Sequence, residues 1–141
     1  MASNNAYPSI WGPVVEQTVD LIGDVLKLQL VDATFVFDAA DVTLADIDAG
    51  MRVGPLTTVT GTRSMDGATL VTATADQTVT AVSGDPVAGW VYVIGGATDA
   101  DRLLVAHVGR RSDTTPIYVV PDDGDMDVLI PAGRILTIGG G

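Results

Sequence analysis

The acidic stretch at residues 122–127 has the carboxylate spacing of a metal-binding motif. Asp123, Asp125 and Asp127 match the first three carboxylates of an EF-hand calcium loop. That loop needs glycine at its sixth position and glutamate at its twelfth, where this chain has Val128 and Arg134. We therefore expect an acidic turn between two strands, with a divalent-cation site of another kind as the alternative.

His107 is the single histidine, and few other side chains suggest catalysis. Leu103, Val105 and His107 share one face of a predicted strand, which places the histidine at the edge of the core. A Ser-His-Asp triad needs an exposed serine elbow, and no G-x-S-x-G occurs. Asp99 and Asp101 lie in a turn without the apolar pocket that separates the pKa values of an acid–base pair. The glycine-rich stretches match no phosphate-binding motif. We predict no enzyme, no cofactor, no metal and no small-molecule substrate.

The composition excludes several classes of protein. Cysteine is absent, which removes disulfides, thiolate catalysis and Cys-based zinc sites. Eighteen acidic against seven basic residues give a net charge of −11, which repels nucleic-acid phosphates. No apolar run approaches the ~18 residues of a membrane span, and the N-terminus lacks the features of a signal peptide. We expect a soluble protein that is made and used without Sec export and binds neither nucleic acid nor membrane.

The elements that position these residues are predicted to be strands. Leu26, Leu28 and Leu30 alternate with less apolar neighbours, a period of two with one apolar face. Asp66-Gly67 predicts a two-residue hairpin turn, and a second hairpin is predicted over residues 78–96. Turn residues recur about every 8–12 positions. The pattern predicts an all-β fold, an antiparallel β-sandwich or barrel of about 8–10 short strands.

One short helical turn interrupts this pattern. Thr43 is a favourable N-cap, and Asp46 three residues later would interact favourably with the N-terminal dipole of the turn. Gly50 is suited to end it. The stretch therefore predicts a helical turn between two strands.

Residues 1–20 differ from the β domain that we predict over residues 21–141. Pro8 and Pro13 bias their predecessors away from helix, so the opening is predicted to be an extended N-terminal arm. Residues 14–21 fit a short amphipathic helix or a first strand, and the pattern does not separate the two. A frayed terminus is the alternative to an arm that docks on a neighbouring subunit.

Five side chains are the candidate contacts with a partner. Tyr7, Ile10 and Trp11 are apolar anchors on the arm, and Tyr and Trp are favoured at interfaces. Arg110 and Arg111 are the only basic pair in an acidic chain, which suits them to an acidic neighbour. Their alternative role is to keep a loop soluble.

Several motifs, in this order, resemble a family of small tailed-bacteriophage virion proteins encoded among head structural genes. The motifs are DLIGDVLKLQLVD, ADIDAGMRV and DQTVTAVSGDPVAGWVYVIGGATDADRLLVAHV, and the resemblance covers about residues 20–138. The positions that fit are Thr78, Val79, Ala81, Val82, Gly84, Asp85, Pro86, Asp99, Leu103, Leu104 and Ala106. Two stretches depart from it: VPDDGD stands where the family has TPNGGD, and AYPSIWGPVVEQ has no counterpart.

The resemblance implies a capsid decoration, or cement, protein that is made in the bacterial host cytoplasm and lies on the exterior of the virion. It would bind the major capsid protein and associate with itself as a homotrimer, and a face of Trp90 and Tyr92 would serve self-association or belong to the core. Two alternatives stay open: a tail or head–tail junction protein, such as a tube, adaptor or fibre base, and a receptor- or carbohydrate-binding β-module.

Overall fold

A computed structural model describes residues 4–110, 115–130 and 133–137 of the chain. The all-β prediction is confirmed, because ten strands lie within these residues and the longest helix has five residues. None of the described helices has the length and apolarity needed to cross a bilayer. The elements are β1 (Asn4–Ala6), α1 (Trp11–Val15), β2 (Leu26–Asp32), β3 (Arg52–Thr58), β4 (Arg63–Asp66), β5 (Thr69–Thr72), β6 (Asp76–Val79), β7 (Val87–Ile94), β8 (Leu103–Val108), β9 (Met126–Leu129) and β10 (Arg134–Thr137), with 3₁₀ turns at Pro8–Ile10, Leu44–Asp46 and Ala49–Met51.

The larger sheet has five antiparallel strands in the order β1-β8-β7-β2-β3. Strand β7 is its longest member; it pairs along its length with β2 and from Trp90 to Ile94 with β8. Leu28 lies opposite Tyr92, and Leu30 lies opposite Trp90. The alternation of leucines in β2 thus directs them to one face of the sheet, as the sequence predicts.

That face packs against two smaller antiparallel sheets, and the result is a sandwich-like fold. The smaller sheets have the orders β10-β5-β4 and β6-β9. Leu70 and Val128 from the smaller sheets share one buried cluster with Leu28, Trp90 and Tyr92. We call this cluster the main core; Trp90 and Tyr92 belong to it and present no surface for self-association.

The opposite face of the large sheet is covered by the β2–β3 connection, residues 33–51, which we call the strap. Leu44 and Ile47 of the strap form a second core with Val91, Val93 and Leu104, and Phe35, Phe37, Leu56 and Tyr7 pack there as well. Because both faces are covered, the central strands β7 and β8 are almost continuously buried.

The helical turn predicted in the strap is present at Leu44–Asp46. The Asp46 carboxylate accepts hydrogen bonds from the N–H groups of Val42 (2.8 Å) and Thr43 (3.0 Å), and these bonds lower the pKa of Asp46. Gly50 does not end this turn but lies in a second one, Ala49–Met51, whose N-cap Asp48 accepts from its N–H.

The two predicted hairpins have different outcomes. Strands β4 and β5 form a hairpin, although its loop residues are Gly67 and Ala68, since Asp66 pairs with Thr69. The prediction of a hairpin over residues 78–96 is wrong, because β6 pairs with β9 and β7 belongs to the large sheet.

After β6 the chain crosses to the large sheet, because the β6–β7 loop is anchored in the main core and to the loop before β9. Val82 is fully buried in the main core, and its N–H donates to the Gly124 carbonyl at 2.9 Å. Ala81 has φ +51° and Gly84 has φ +108°, so the backbone bends on both sides of this anchor. Strand β7 therefore begins in the opposite layer.

The N-terminal region is folded onto the domain, so the prediction of an extended arm is wrong. Strand β1 pairs with β8, and a 3₁₀ turn and α1 follow it directly. Pro8 lies in the first turn of the 3₁₀ helix and Pro13 in the first turn of α1. Proline is compatible with a first turn, because its missing N–H would have no helical partner there.

Candidate interaction surface

The predicted anchors on the N-terminal region are core residues of their own chain. Tyr7 and Ile10 have no exposed surface. Tyr7 lies in the second core against Phe37, with ring centroids 4.7 Å apart, and Ile10 lies in the main core. The prediction that they present apolar surface to a partner is therefore wrong for the folded chain, because both sheet faces take up apolar side chains from this segment.

The other three predicted contacts differ from one another. Trp11 is half-buried and packs against the main core. Arg110 is half-buried and forms a β-bridge with Pro116. Arg111 lies outside the described residues.

His107 is enclosed between the large sheet and the strap. Its ring centroid lies 4.9 Å from that of Phe35 and 6.1 Å from that of Phe37, and only 5% of the residue is exposed. Nδ1 is buried without a hydrogen-bond partner, and burial lowers the pKa of His107 to about 4. A neutral, enclosed ring serves packing, and its predicted place on a strand is confirmed. The predicted shared face with Val105 is wrong, because the β7–β8 register shifts past Val105, which lies in the main core while His107 faces the strap.

The Tyr7 hydroxyl lies beside two acidic residues of the strap. Burial raises the pKa of Tyr7, and the charges of Asp41 and Asp38 raise it further. Burial and the neighbouring Asp38 and Asp46 also raise the pKa of Asp41. The phenol is therefore held in its neutral form, and its oxygen has no hydrogen-bond partner in the structure.

The acidic stretch at residues 122–127 uses its carboxylates to shape the loop. Asp122 accepts from the Gly124 N–H at 2.9 Å, Asp125 from the Ala81 N–H at 3.2 Å, and Asp127 from the Thr78 hydroxyl at 3.3 Å. Within residues 4–110, 115–130 and 133–137, no group of three His, Asp or Glu side chains is placed to hold a metal ion.

Asp99 holds the strap to the β7–β8 hairpin. Its two carboxylate oxygens pair with Arg52 (2.6 Å) and Arg102 (2.7 Å), and these hydrogen bonds lower the pKa of Asp99. Arg52 also donates to the carbonyls of Leu44 (2.6 Å) and Ile47 (2.7 Å) in the strap. The ion pairs are therefore structural.

The candidate interaction surface is formed by Tyr118 and Val120. Tyr118 is 61% exposed and Val120 is 66% exposed, whereas Ile117 is buried and Val119 is half-buried. Val119 and Val87 exchange backbone hydrogen bonds of 2.7 and 2.9 Å, which fix this extended segment to the start of β7. Because alternate side chains of extended chain point to opposite sides, Tyr118 and Val120 face solvent together.

This pair was not among the predicted contacts. The structure holds the sequence PIYVVP by isolated bridges, outside the named strands. A signal was present, because four successive apolar residues between prolines leave no polar face for solvent. Asp122 and Asp123 follow after Pro121 and are exposed, so an acidic turn borders the pair in sequence.

Seven aromatic residues occur in the chain, and all lie in its described part. Tyr118 alone among them is exposed; the others are buried or half-buried. The exposed aromatic and its valine neighbour are therefore the surface on which a function is best argued. Comparison of the chain with models of known protein families, with curated proteins and with solved structures gives no match.

Proposed function

We propose that this chain is a non-enzymatic structural protein of a tailed-bacteriophage virion. Its role would be capsid decoration: it would bind the major capsid protein on the outer surface of the head and stabilise the shell. The motifs in β2, β7 and β8 that resemble virion proteins support this proposal, and so does the all-β fold. The observation that carries it is the exposed pair Tyr118 and Val120 on a firmly anchored segment.

The physical argument starts from the properties of that pair. Tyrosine is a favoured interface anchor, because it buries a large area at a small cost in side-chain entropy. Val120 extends the apolar area, and the hydrogen bonds between Val119 and Val87 hold the segment in place before any partner arrives. A partner with an apolar socket and basic groups near it would complement both the pair and the acidic residues Asp122 and Asp123.

Repetition would turn a small contact into a stable attachment. Two side chains bury a modest area, and one such contact gives weak binding. Copies joined into a homotrimer would present three contacts to a symmetric shell, and each bound contact would raise the effective concentration of the next. Decoration of a capsid suits this chemistry because a shell repeats the same partner surface many times.

The experiment compares binding to purified heads that lack the protein. A Tyr118→Ser/Val120→Ser variant should lose about 3 kcal/mol of apolar burial, which is a loss of about 100-fold in affinity. Val36→Ser is the matched control, because Val36 is 74% exposed but lies on the strap. Bound protein is measured by co-sedimentation with the heads, and folding of each variant is checked by urea unfolding.

Two outcomes would contradict the proposal. Equal binding of the double variant and the control would show that the pair is not the contact. Binding of the wild-type chain to isolated tails and not to heads, with six- or twelvefold rings in light scattering, would favour a tail or junction protein instead.

A further inference from the structure

We propose that the N-terminal segment, residues 4–15, is exchanged between copies of this chain. The segment of one copy would occupy the β8 edge of another copy and fill both of its cores. This inference concerns self-association and does not depend on capsid binding. It rests on two features of the segment: it lies at the edge of the large sheet with a side chain buried in each core, and it is joined to the domain by an exposed and strained linker.

The contacts of the segment are those of a removable outer strand. Strand β1 is the terminal strand of the large sheet and pairs only with β8. The Tyr7 N–H continues the ladder by donating to the Val105 carbonyl at 3.0 Å. Any copy that has lost its own segment offers the same edge with the same register.

The anchors make the site on β8 costly to leave empty. Tyr7 enters the second core and Ile10 enters the main core, so the segment fills a gap on each side of the sheet edge. Both residues are fully buried. A domain without the segment would expose two apolar sockets to water. The segment of any copy could fill both sockets.

The linker, residues 16–20, is held mainly to the segment itself. The N–H groups of Glu16, Gln17 and Thr18 donate to the carbonyls of Gly12, Val14 and Pro13 respectively. All linker residues are exposed apart from the half-buried Val19. The domain proper begins at Leu21, which is buried and accepts from the Arg63 guanidinium.

The folded-back linker also contains an unfavourable backbone conformation. Gln17 has φ +61°, a region that residues other than glycine rarely adopt. Extension of the linker would release this strain, and five extended residues reach about 17 Å. The contacts of Tyr7 and Ile10 would be the same in either arrangement.

The test uses engineered cysteines, which are unambiguous because the chain has none. Ala6 lies opposite Ala106 in the β1–β8 ladder. Opposed residues of an antiparallel pair have Cα atoms about 4.5–5.5 Å apart, within the range of a disulfide. One chain carries Ala6→Cys, and a second chain of distinguishable mass carries Ala106→Cys.

The two chains are mixed, refolded together and oxidised. Exchange predicts a disulfide between the two chains, identified by peptide mass spectrometry. The control replaces Ala106→Cys by Ala68→Cys, because Ala68 lies at the exposed tip of the β4–β5 hairpin. We expect the cross-link to exceed the control on the order of 100-fold, because docking raises the effective concentration of the paired thiols.

A single chain with both Ala6→Cys and Ala106→Cys distinguishes pairing within one chain from pairing between chains. A monomer with an internal disulfide, together with a mixed-chain cross-link at the control level at every concentration, would overturn the exchange. No disulfide in this double variant would overturn it as well, because the β1–β8 register itself would then be wrong. Exchange is supported if the double variant forms covalent oligomers. Heads are not used, so failure of capsid binding has no bearing on this result.

Discussion

A histidine enclosed by two phenylalanines links the stability of this fold to pH. Burial lowers the pKa of His107 from 6.5 to about 4. Between these values the unfolded chain binds a proton that the folded chain does not bind. The neutral ring therefore contributes stability that is fully present above pH 6.5 and is lost as the pH falls toward 4.

We predict that His107→Phe reduces this dependence on pH. The wild-type free energy of unfolding should fall by about 2–3 kcal/mol more than that of the variant between pH 6.5 and 4.5, at 1.36 kcal/mol per pKa unit. Urea unfolding at the two pH values measures it, and His107→Gln serves as a second variant if phenylalanine packs poorly. The carboxylates, including Asp41 with its raised pKa, titrate in both proteins and cancel in the comparison. Parallel pH profiles would contradict the prediction.

For single residues, the sequence predicts burial but not the residues that enclose them. The alternation of Leu103, Val105 and His107 predicts a strand, which the structure confirms, but the register shift at Val105 turns His107 to the face opposite Val105. The rings that enclose His107 come from the strap, which is far away in sequence, and no local pattern indicates them. Tyr7 is similar: its apolar ring predicts burial, but not whether its own chain or a neighbour provides the socket.

At the scale of elements, the strap is held by one arginine and one aspartate. Arg52 donates to two strap carbonyls and to Asp99, and Asp99 joins Arg102 to the same network. The Leu44 N–H completes the contact by donating to the Arg102 carbonyl at 2.9 Å. The network connects the cover of the second core to the β7–β8 hairpin.

We predict that the two partners contribute unequally. Arg52→Met should cost about 2–3 kcal/mol, because strap carbonyls lose their donors inside a partly buried site. Asp99→Asn should cost less than about 1 kcal/mol, because the side chain is 43% exposed and solvent screens its ion pairs. Urea unfolding gives the two values, and hydrogen exchange at residues 42–47 reports strap opening. Equal costs would show that the ion pair, not the carbonyl contacts, holds the strap.

Local turn chemistry predicts elements better than it predicts their partners. The β4–β5 hairpin follows from a glycine suited to φ +60° at a tight turn, and the structure confirms it with a shift of one residue. The loop after β6 has equally clear turn residues, yet the burial of Val82 and its bond to Gly124 send the chain to the other sheet. The contact between Val82 and Gly124 joins segments far apart in sequence, so the turn residues alone do not predict it.

At the scale of the whole molecule, net charge opposes association between copies. Each chain carries −11, so two copies repel each other at low ionic strength. Added salt screens this repulsion over a Debye length that falls from about 10 Å at 0.1 M to about 3 Å at 1 M. Apolar contacts such as those of Tyr7 and Ile10 are not weakened by the same screening.

We therefore predict that self-association strengthens with salt. The dimer or trimer fraction at a fixed protein concentration should rise several-fold between about 0.05 M and about 0.5 M sodium chloride, because the repulsive term falls. Sedimentation equilibrium measures this fraction directly. A fraction that decreases with salt would indicate that opposite charges hold the copies together. Met65→Lys, on the exposed strand β4, is a useful variant because its smaller net charge should raise the low-salt fraction.

The overall class follows from the sequence, whereas the layer arrangement does not. Periodicity of two and frequent turns predict an all-β fold, and ten strands are present in the described residues. Periodicity also shows that β2 has one apolar face, but β7 is apolar on both faces because the strap covers its second side. The strap has no repeating pattern of apolar residues, so the sequence does not predict that it covers the sheet.

The tight turn of the β4–β5 hairpin has a practical consequence. A Cβ placed on Gly67 would meet no atom within 4 Å, and Ala68 beside it is exposed. Added residues at this point would project away from both cores and from the strap. The tip is thus a suitable position for a short epitope or fluorophore, by which the molecule can be followed while its folded body stays unaltered.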